Sequence, residues 1–307
     1  MNPDNIKSVL LVDGMAVAYR AFYAVRGLST RDGVPTNALF GFARMVQQLQ
    51  AQWQPDRVVV AFDGGLPARR LEKCPEYKAQ RPPMPEDLRA QLPLINEFLE
   101  LAGIPAVLIE GQEADDVMST LAVRAVEGGA TVRLATSDKD LMQLVSDKIR
   151  IVPPTKTETE MGPADVEAKT GVRPGQIVDW LALIGDSSDN ISGVAGVGPK
   201  TATRLLKQFE TLENCLAHPE QIESESLREK VKAGGEIARR NVELVVLDLD
   251  VPGVPDWPAI PPPAPDDERL KAFYEKYELR RLAAGVKAAP KPAPKPPPPA
   301  AEQLELF

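Results

Sequence analysis

The sequence predicts an α/β fold: a mostly parallel central sheet wrapped by helices, followed by a helical region. Three observations predict it. Short β-branched runs alternate with segments of helical period, the alternation stops near residue 170, and acidic residues follow each of the first four runs. The runs are "SVLLV" (8–12), "RVVVAF" (57–62), "AVLI" (106–109), "TVRLAT" (131–136) and "IRIV" (149–152), all of strand length. Between them, 36–53, 85–103 and 113–129 place apolar residues three and four apart and predict helices, the second interrupted by Pro93. Such alternation favours a parallel sheet, whose ligands bind beyond the carboxyl ends of the strands. Later, 174–185, 199–209, 225–247 and 266–286 read as helices.

The acids line up with that expected edge. Asp13 follows the first run, Asp63 the second, Glu113, Asp115 and Asp116 the third, and Asp138 with Asp140 the fourth. Asp186 and Asp189 lie three apart in a later turn. One such Asp is most often a cap or turn former, but four strand ends bearing acid exceed what capping requires. Two bare carboxylates about 4 Å apart repel by about 4 kcal/mol at an effective dielectric near 20, so a helix dipole or a cation must offset them. With His218 the single histidine and Cys74 and Cys215 the only cysteines, neither a His/Cys zinc site nor a Ser-His-Asp site is readily built. A metal here is a hard cation on carboxylate oxygens, Mg²⁺ or Mn²⁺. Sparse cysteine, no leader-like start and no apolar window of ~18 residues predict a reduced, cytoplasmic protein away from membranes.

A formal charge of -8 argues against a nucleic-acid partner until its distribution is considered. The stretch 68–89 carries Arg69, Arg70, Lys73, Lys78, Arg81 and Arg89, together with Tyr77, which can stack on a base. It leaves the sheet edge beside Asp63 and predicts a mobile basic arch over an acidic floor. In "GVAGVGPKTA" (193–202), Gly193, Gly196 and Gly198 precede Pro199 at the start of a helix. This is a helix-hairpin-helix pattern, in which small residues let backbone N–H groups approach a phosphate.

"LVDG", "FDG", "GQEADD", "YKAQRPPMP", "TSDKDLMQL" and "IGDSSDNISGVAGVGPKTA" together resemble the flap endonuclease or 5'-nuclease family. The closest likeness is to the 5'-to-3' exonuclease domain at the start of bacterial DNA polymerase I, over roughly 6–286. The resemblance implies a PIN-like nuclease core that hydrolyses DNA near single-strand/duplex junctions, at 5' flaps, nicks or gaps, in replication and repair. It implies two divalent cations, one served by Asp13, Asp63, Glu113 and Asp115, the other by Asp138, Asp140, Asp186 and Asp189, with Asp116 close to both. Tyr77, Lys78 and Arg81 fall where the family stacks on substrate and contacts the scissile phosphate. Tyr19, Arg20 and Arg70 are expected along the DNA path, and Gly193, Gly196, Gly198, Lys200 and Thr201 on the duplex, with a K⁺ ion at the hairpin.

The expected divisions are an α/β nuclease domain (1–170), a helical domain (171–286), a Pro/Ala/Lys tether (287–301) and a terminal peptide (302–307). Arg69 stands where the resemblance to the polymerase-linked members implies an aromatic. The sequence ends "EQLELF" instead of continuing into a polymerase, and "QLELF" resembles the pentapeptide that binds the bacterial sliding clamp. Gln303, Leu304, Leu306 and Phe307 are therefore expected to dock in an apolar pocket of the clamp. A monomer is assumed, and RNA-primed strands are left open as substrates. Two rivals remain: a PIN-like ribonuclease, and a catalytically silent DNA-binding module tied to the clamp.

Overall fold

The computed structural model describes residues 6–286, so the expected tether and the peptide expected to bind the clamp (Gln303, Leu304, Leu306, Phe307) lie outside the described residues. In chain order the strands are β1 (Ser8–Asp13), β2 (Arg57–Phe62), β3 (Ala106–Leu108), β4 (Thr131–Ala135) and β5 (Ile149–Val152). They form one parallel sheet in the order β3-β2-β1-β4-β5. Both faces are covered. Val9 and Leu11 enter the core on one side, Leu10 and Val12 the core on the other, which is why the runs are continuously apolar. The chain steps outward from β1 through β2 and β3, then crosses back to β4, leaving a crevice beyond the ends of β1 and β4.

The helices are α1 (Gly14–Ala24), α2 (Asn37–Trp53), α3 (Ala68–Lys73), α4 (Glu86–Leu101), α5 (Ala114–Glu127), α6 (Pro163–Thr170), α7 (Ile177–Ile184), α8 (Pro199–Phe209), α9 (Leu212–Ala217), α10 (Glu225–Val245), α11 (Asp267–Lys276) and α12 (Arg280–Ala283). The core of α1, α2, α4 and α11 lies on one face, that of α5, α7, α8 and α10 on the other. Pro93 does not interrupt α4. Proline removes one N–H, and the buried face of Leu88, Ile95, Phe98 and Leu99 holds the helix together across it. The expected helix 266–286 is two, because Glu278 takes a left-handed backbone (φ 57°) between α11 and α12. These helices also leave the helical region: Tyr274 packs on Phe98 (centroids 6.3 Å) and the Asp266 N–H donates to the Leu101 carbonyl. A two-residue hairpin, β6 (Gly185–Asp186) with β7 (Ile191–Ser192), stands where no strand was expected.

Candidate metal centre

Each acid is placed by its own element. Asp13 ends β1 and caps α1: Oδ1 accepts from the Ala16 N–H (2.9 Å), while Oδ2 accepts from the Thr136 hydroxyl (3.1 Å) just past β4. Asp63, past β2, accepts from the Ala114 N–H (2.9 Å) and so ties its loop to the first turn of α5, where Asp115 and Asp116 stand. Asp138 accepts from the Asp140 N–H, and Asp186 from the Ser188 N–H, both at 2.9 Å. Asp140, Asp186 and Asp189 each offer one oxygen, and these oxygens lie within 4.8 Å of one another.

Crowding shows in the protonation of the group. Burial, then the charges of Asp138, Asp13, Asp140 and Asp63, push Asp115 well above the usual carboxylate range. Burial, then Asp138, Asp186 and Asp189, do the same to Asp140. Asp138 is raised chiefly by burial, and burial with Asp63 and Asp138 pushes Asp13 up to about 6. Oδ1 of Asp140 is buried without a hydrogen-bond partner, a costly state for a carboxylate oxygen. Hard oxygens, desolvated and short of positive charge, are the donor set a small divalent cation takes.

The remaining acids already hold cations of the chain. Glu113 pairs with Lys78 and Arg70, and against its burial these two hold it below its ordinary pKa. Asp189 pairs with Arg81 (2.8 Å) and lies 3.5 Å from Lys78. Asp186 takes Lys139 at 2.9 Å and, with Ser188, is lowered despite burial.

Three expectations are corrected. Asp116 is taken up by the arginines of α3, sharing Arg70 Nη1 with Glu113. It is fully buried and accepts four hydrogen bonds, from Arg70 Nη1 (2.7 Å) and Nη2 (2.9 Å), Arg69 Nη2 (3.1 Å) and the Asp248 N–H (2.8 Å). Arg70, expected on DNA, is equally buried, and its five N–H donors go to Glu113, Asp116 (two bonds), Leu244 and Val246. Tyr77, expected to stack on substrate, is 3% exposed, with its hydroxyl 3.1 Å from Glu113 and 3.0 Å from Asp189. The basic segment is thus folded down onto the acids instead of arching over them. The Lys78 N–H donates to the Asp189 carbonyl (3.0 Å), Gln80 to the Ser187 carbonyl and Asn190 to that of Glu76. The physical reason is charge: Lys78 and Arg81 supply what the acids lack.

Tyr19 is half-buried and stacks on Tyr23 (6.5 Å), while Arg20 is exposed. Tyr23, i,i+4 from Tyr19, is 61% exposed. Lys139 was missed, though it sits between two acids in sequence. At the hairpin, a Cβ on Gly193 would overlap the Ile184 carbonyl, and Gly196 takes a left-handed backbone (φ 76°). Gly198 caps α8, and beyond Pro199 the side chain of Lys200 is exposed and that of Thr201 half-buried.

The sheet, the acids beyond its edge and the glycine-turned helix pair behind them define the PIN-like class of nuclease folds. The chain belongs to the 5'-3' exonuclease family: the family's N-terminal resolvase-like domain matches residues 8–171 and its C-terminal SAM fold matches 172–268. It is 42% identical over 296 residues to the thermostable DNA polymerase I of Thermus thermophilus, covering 96% of this chain and 35% of that protein. It is 39% identical over 277 residues to the 5'-3' exonuclease of Aquifex aeolicus, covering 90% and 94%. The chain therefore spans about a third of the length of the polymerase relatives it matches. The fold is that of T5 5'-exonuclease with bound zinc ions (TM-score 0.66, 22% identity, 91% of this chain and 98% of that one). It is also that of the catalytic core of Rad2 in complex with DNA substrate (TM-score 0.62, 16% identity, 94% and 95%). Among the described residues no helix is long and apolar enough to cross a membrane.

Proposed function

We propose that the chain is a structure-specific 5' nuclease that uses two divalent cations, Mg²⁺ or Mn²⁺, to hydrolyse DNA phosphodiester bonds at 5' flaps, nicks and gaps. The observation that carries this is the set of desolvated carboxylates with no basic partner, ending in the orphaned Oδ1 of Asp140, whose carboxylate gathers with that of Asp189, the partner of Lys78 and Arg81. Metal bound in the T5 neighbour and DNA bound in the Rad2 neighbour support it. Asp13, Asp63, Asp115 and Asp138 would serve one cation and Asp140, Asp186 and Asp189 the other, with Glu113 available once Lys78 withdraws. When bound, the cations activate water and neutralise charge on the reacting phosphate.

The chain's own groups do the rest. Lys78 supplies a compact charge and Arg81 a two-pronged fork for the oxygens of the scissile phosphate. Both must let go of Glu113 and Asp189 to do so, which also exposes the Tyr77 ring to a base. Tyr19 and Arg20 on α1 border the same opening. The open start of α8, with Gly193, Gly196, Gly198, Lys200 and Thr201, holds duplex phosphates without reading sequence, and a K⁺ ion on hairpin carbonyls would strengthen it. That fixed grip sets where the cut falls. A role in replication and repair in the cytoplasm, with recruitment to the sliding clamp through Gln303, Leu304, Leu306 and Phe307, completes the proposal.

The test is a 5'-labelled nicked duplex with a single-stranded flap, incubated with Mg²⁺ beside an EDTA control and an Asp186→Ala variant. A flap-length product from wild type with metal, and from neither control, is expected. Unchanged cleavage by Asp186→Ala would refute the site, and DNA binding without cleavage would point to the silent binding module.

A further inference from the structure

The last carbonyls of a helix lack intrahelical partners and carry partial negative charge. At the end of α10, four consecutive carbonyls are taken by side chains from the nuclease domain. Glu243 O accepts from Arg69 Nη1 (3.3 Å), Leu244 O from Arg70 Nε (2.9 Å) and Val245 O from Gln143 (3.1 Å). Val246 O accepts from both arginines. Arg69 and Arg70 belong to α3, the root of the basic segment, and both also hold Asp116, the neighbour of Asp115 on α5. One clasp therefore joins three things: the segment that carries Lys78 and Arg81, the helix that carries acids of the site, and the end of the long helix of the helical region.

We propose that Arg69, which stands where the resemblance calls for an aromatic, is a positioning residue for phosphodiester cleavage. It pins the root of the basic segment to Asp116 and α10, and so fixes where Lys78 and Arg81 reach the reacting phosphate. This rests on the nuclease reading above. Arg69 is the informative half of the clasp because its side chain is a third exposed and, unlike Arg70, it does not touch Glu113. Its buried Nε has no partner, so the side chain is held by the bonds of its terminal nitrogens alone.

The test compares wild type, Arg69→Ala and Arg69→Lys of the full chain for kcat and KM on the labelled flap duplex, for Mn²⁺ binding by electron paramagnetic resonance, and for Tm. Loosened placement of two charges lowers kcat of Arg69→Ala by about tenfold, with KM and Mn²⁺ binding within about twofold of wild type. Arg69→Lys recovers part of the rate, since it keeps charge and one bond but not the fork. A rise in KM at unchanged kcat would make Arg69 a DNA contact and overturn the inference. A lower Tm with both constants unchanged would reduce it to a helix cap. If Arg69→Ala fails to fold, Arg69→Gln carries the same comparison. A wild type that cleaves nothing sinks the nuclease reading and this inference with it, whereas an active wild type with fully active variants sinks only the inference.

Discussion

The ring of acids is two different environments at one sheet edge. Asp13, Asp63, Asp115, Asp138 and Asp140 have no Lys or Arg within ion-pair distance among the described residues, whereas Glu113, Asp116, Asp186 and Asp189 each hold at least one. The same carboxyl chemistry is pushed up at Asp13, Asp115, Asp138 and Asp140 on the first side, by burial and like charge, and pulled down at Glu113 and Asp186 on the second. The chain neutralises one half itself; on the proposed reading the other half is the place for a cation from solution. The halves meet at Asp140, Asp186 and Asp189, the oxygens nearest to forming a ligand set.

The largest expected effect lies on the unpaired side: Asp140→Ala should cut flap cleavage by about two to three orders of magnitude, the scale of losing one preorganised charge-stabilising group. Residual activity above a tenth of wild type would remove Asp140 from the site. On the paired side, Arg70→Ala takes the shared guanidinium from buried Asp116 and Glu113, and breaking such a pair costs about 3–5 kcal/mol in urea unfolding. A cost below about 1 kcal/mol would mean that these acids do not need their arginine.

The contrast sharpens with Asp115→Asn in EDTA. Relieving like-charge crowding should raise Tm by about 2–4 °C, the shift expected per kcal/mol, and shrink the further rise that Mg²⁺ gives wild type. A fall in Tm would show that Asp115 is not strained in the metal-free chain. The pH dependence has a definite sign. Asp13 sits near 6 in the folded chain against an ordinary 3.8, so between those values the folded state binds more protons and stability falls as pH rises. In EDTA, Tm should therefore drop from pH 4 to 6, more steeply for wild type than for Asp13→Asn; parallel profiles would exclude this group. The smallest effect is at the exposed Lys73 and Glu243 pair, where Lys73→Ala should change stability by less than about 1 kcal/mol.

Much of this was legible in the chain. Strand runs and the acids after them share one periodicity, so the edge of the sheet and most of its carboxylates could be placed from residue order alone. That Asp115 and Asp116 take different partners was readable in principle, because neighbouring residues on a helix point about 100° apart. What Asp116 faces was not readable, since Arg69, Arg70 and the end of α10 meet it only through tertiary packing. Likewise a run such as 68–89 announces positive charge but not its counter-charge. Tyr77 and Arg70 read as DNA contacts because residue order does not reveal their partner Glu113, 36 and 43 residues away.

Lys78 holds its place with a left-handed backbone, φ 56°, that non-glycine residues seldom adopt. It occupies that conformation with its ammonium on Glu113 and beside Asp189, so on the proposed function ions and this side chain would bid for the same oxygens. Linkage would then work in both directions: DNA phosphates that drew Lys78 away would tighten ion binding by the same factor by which ions tighten DNA.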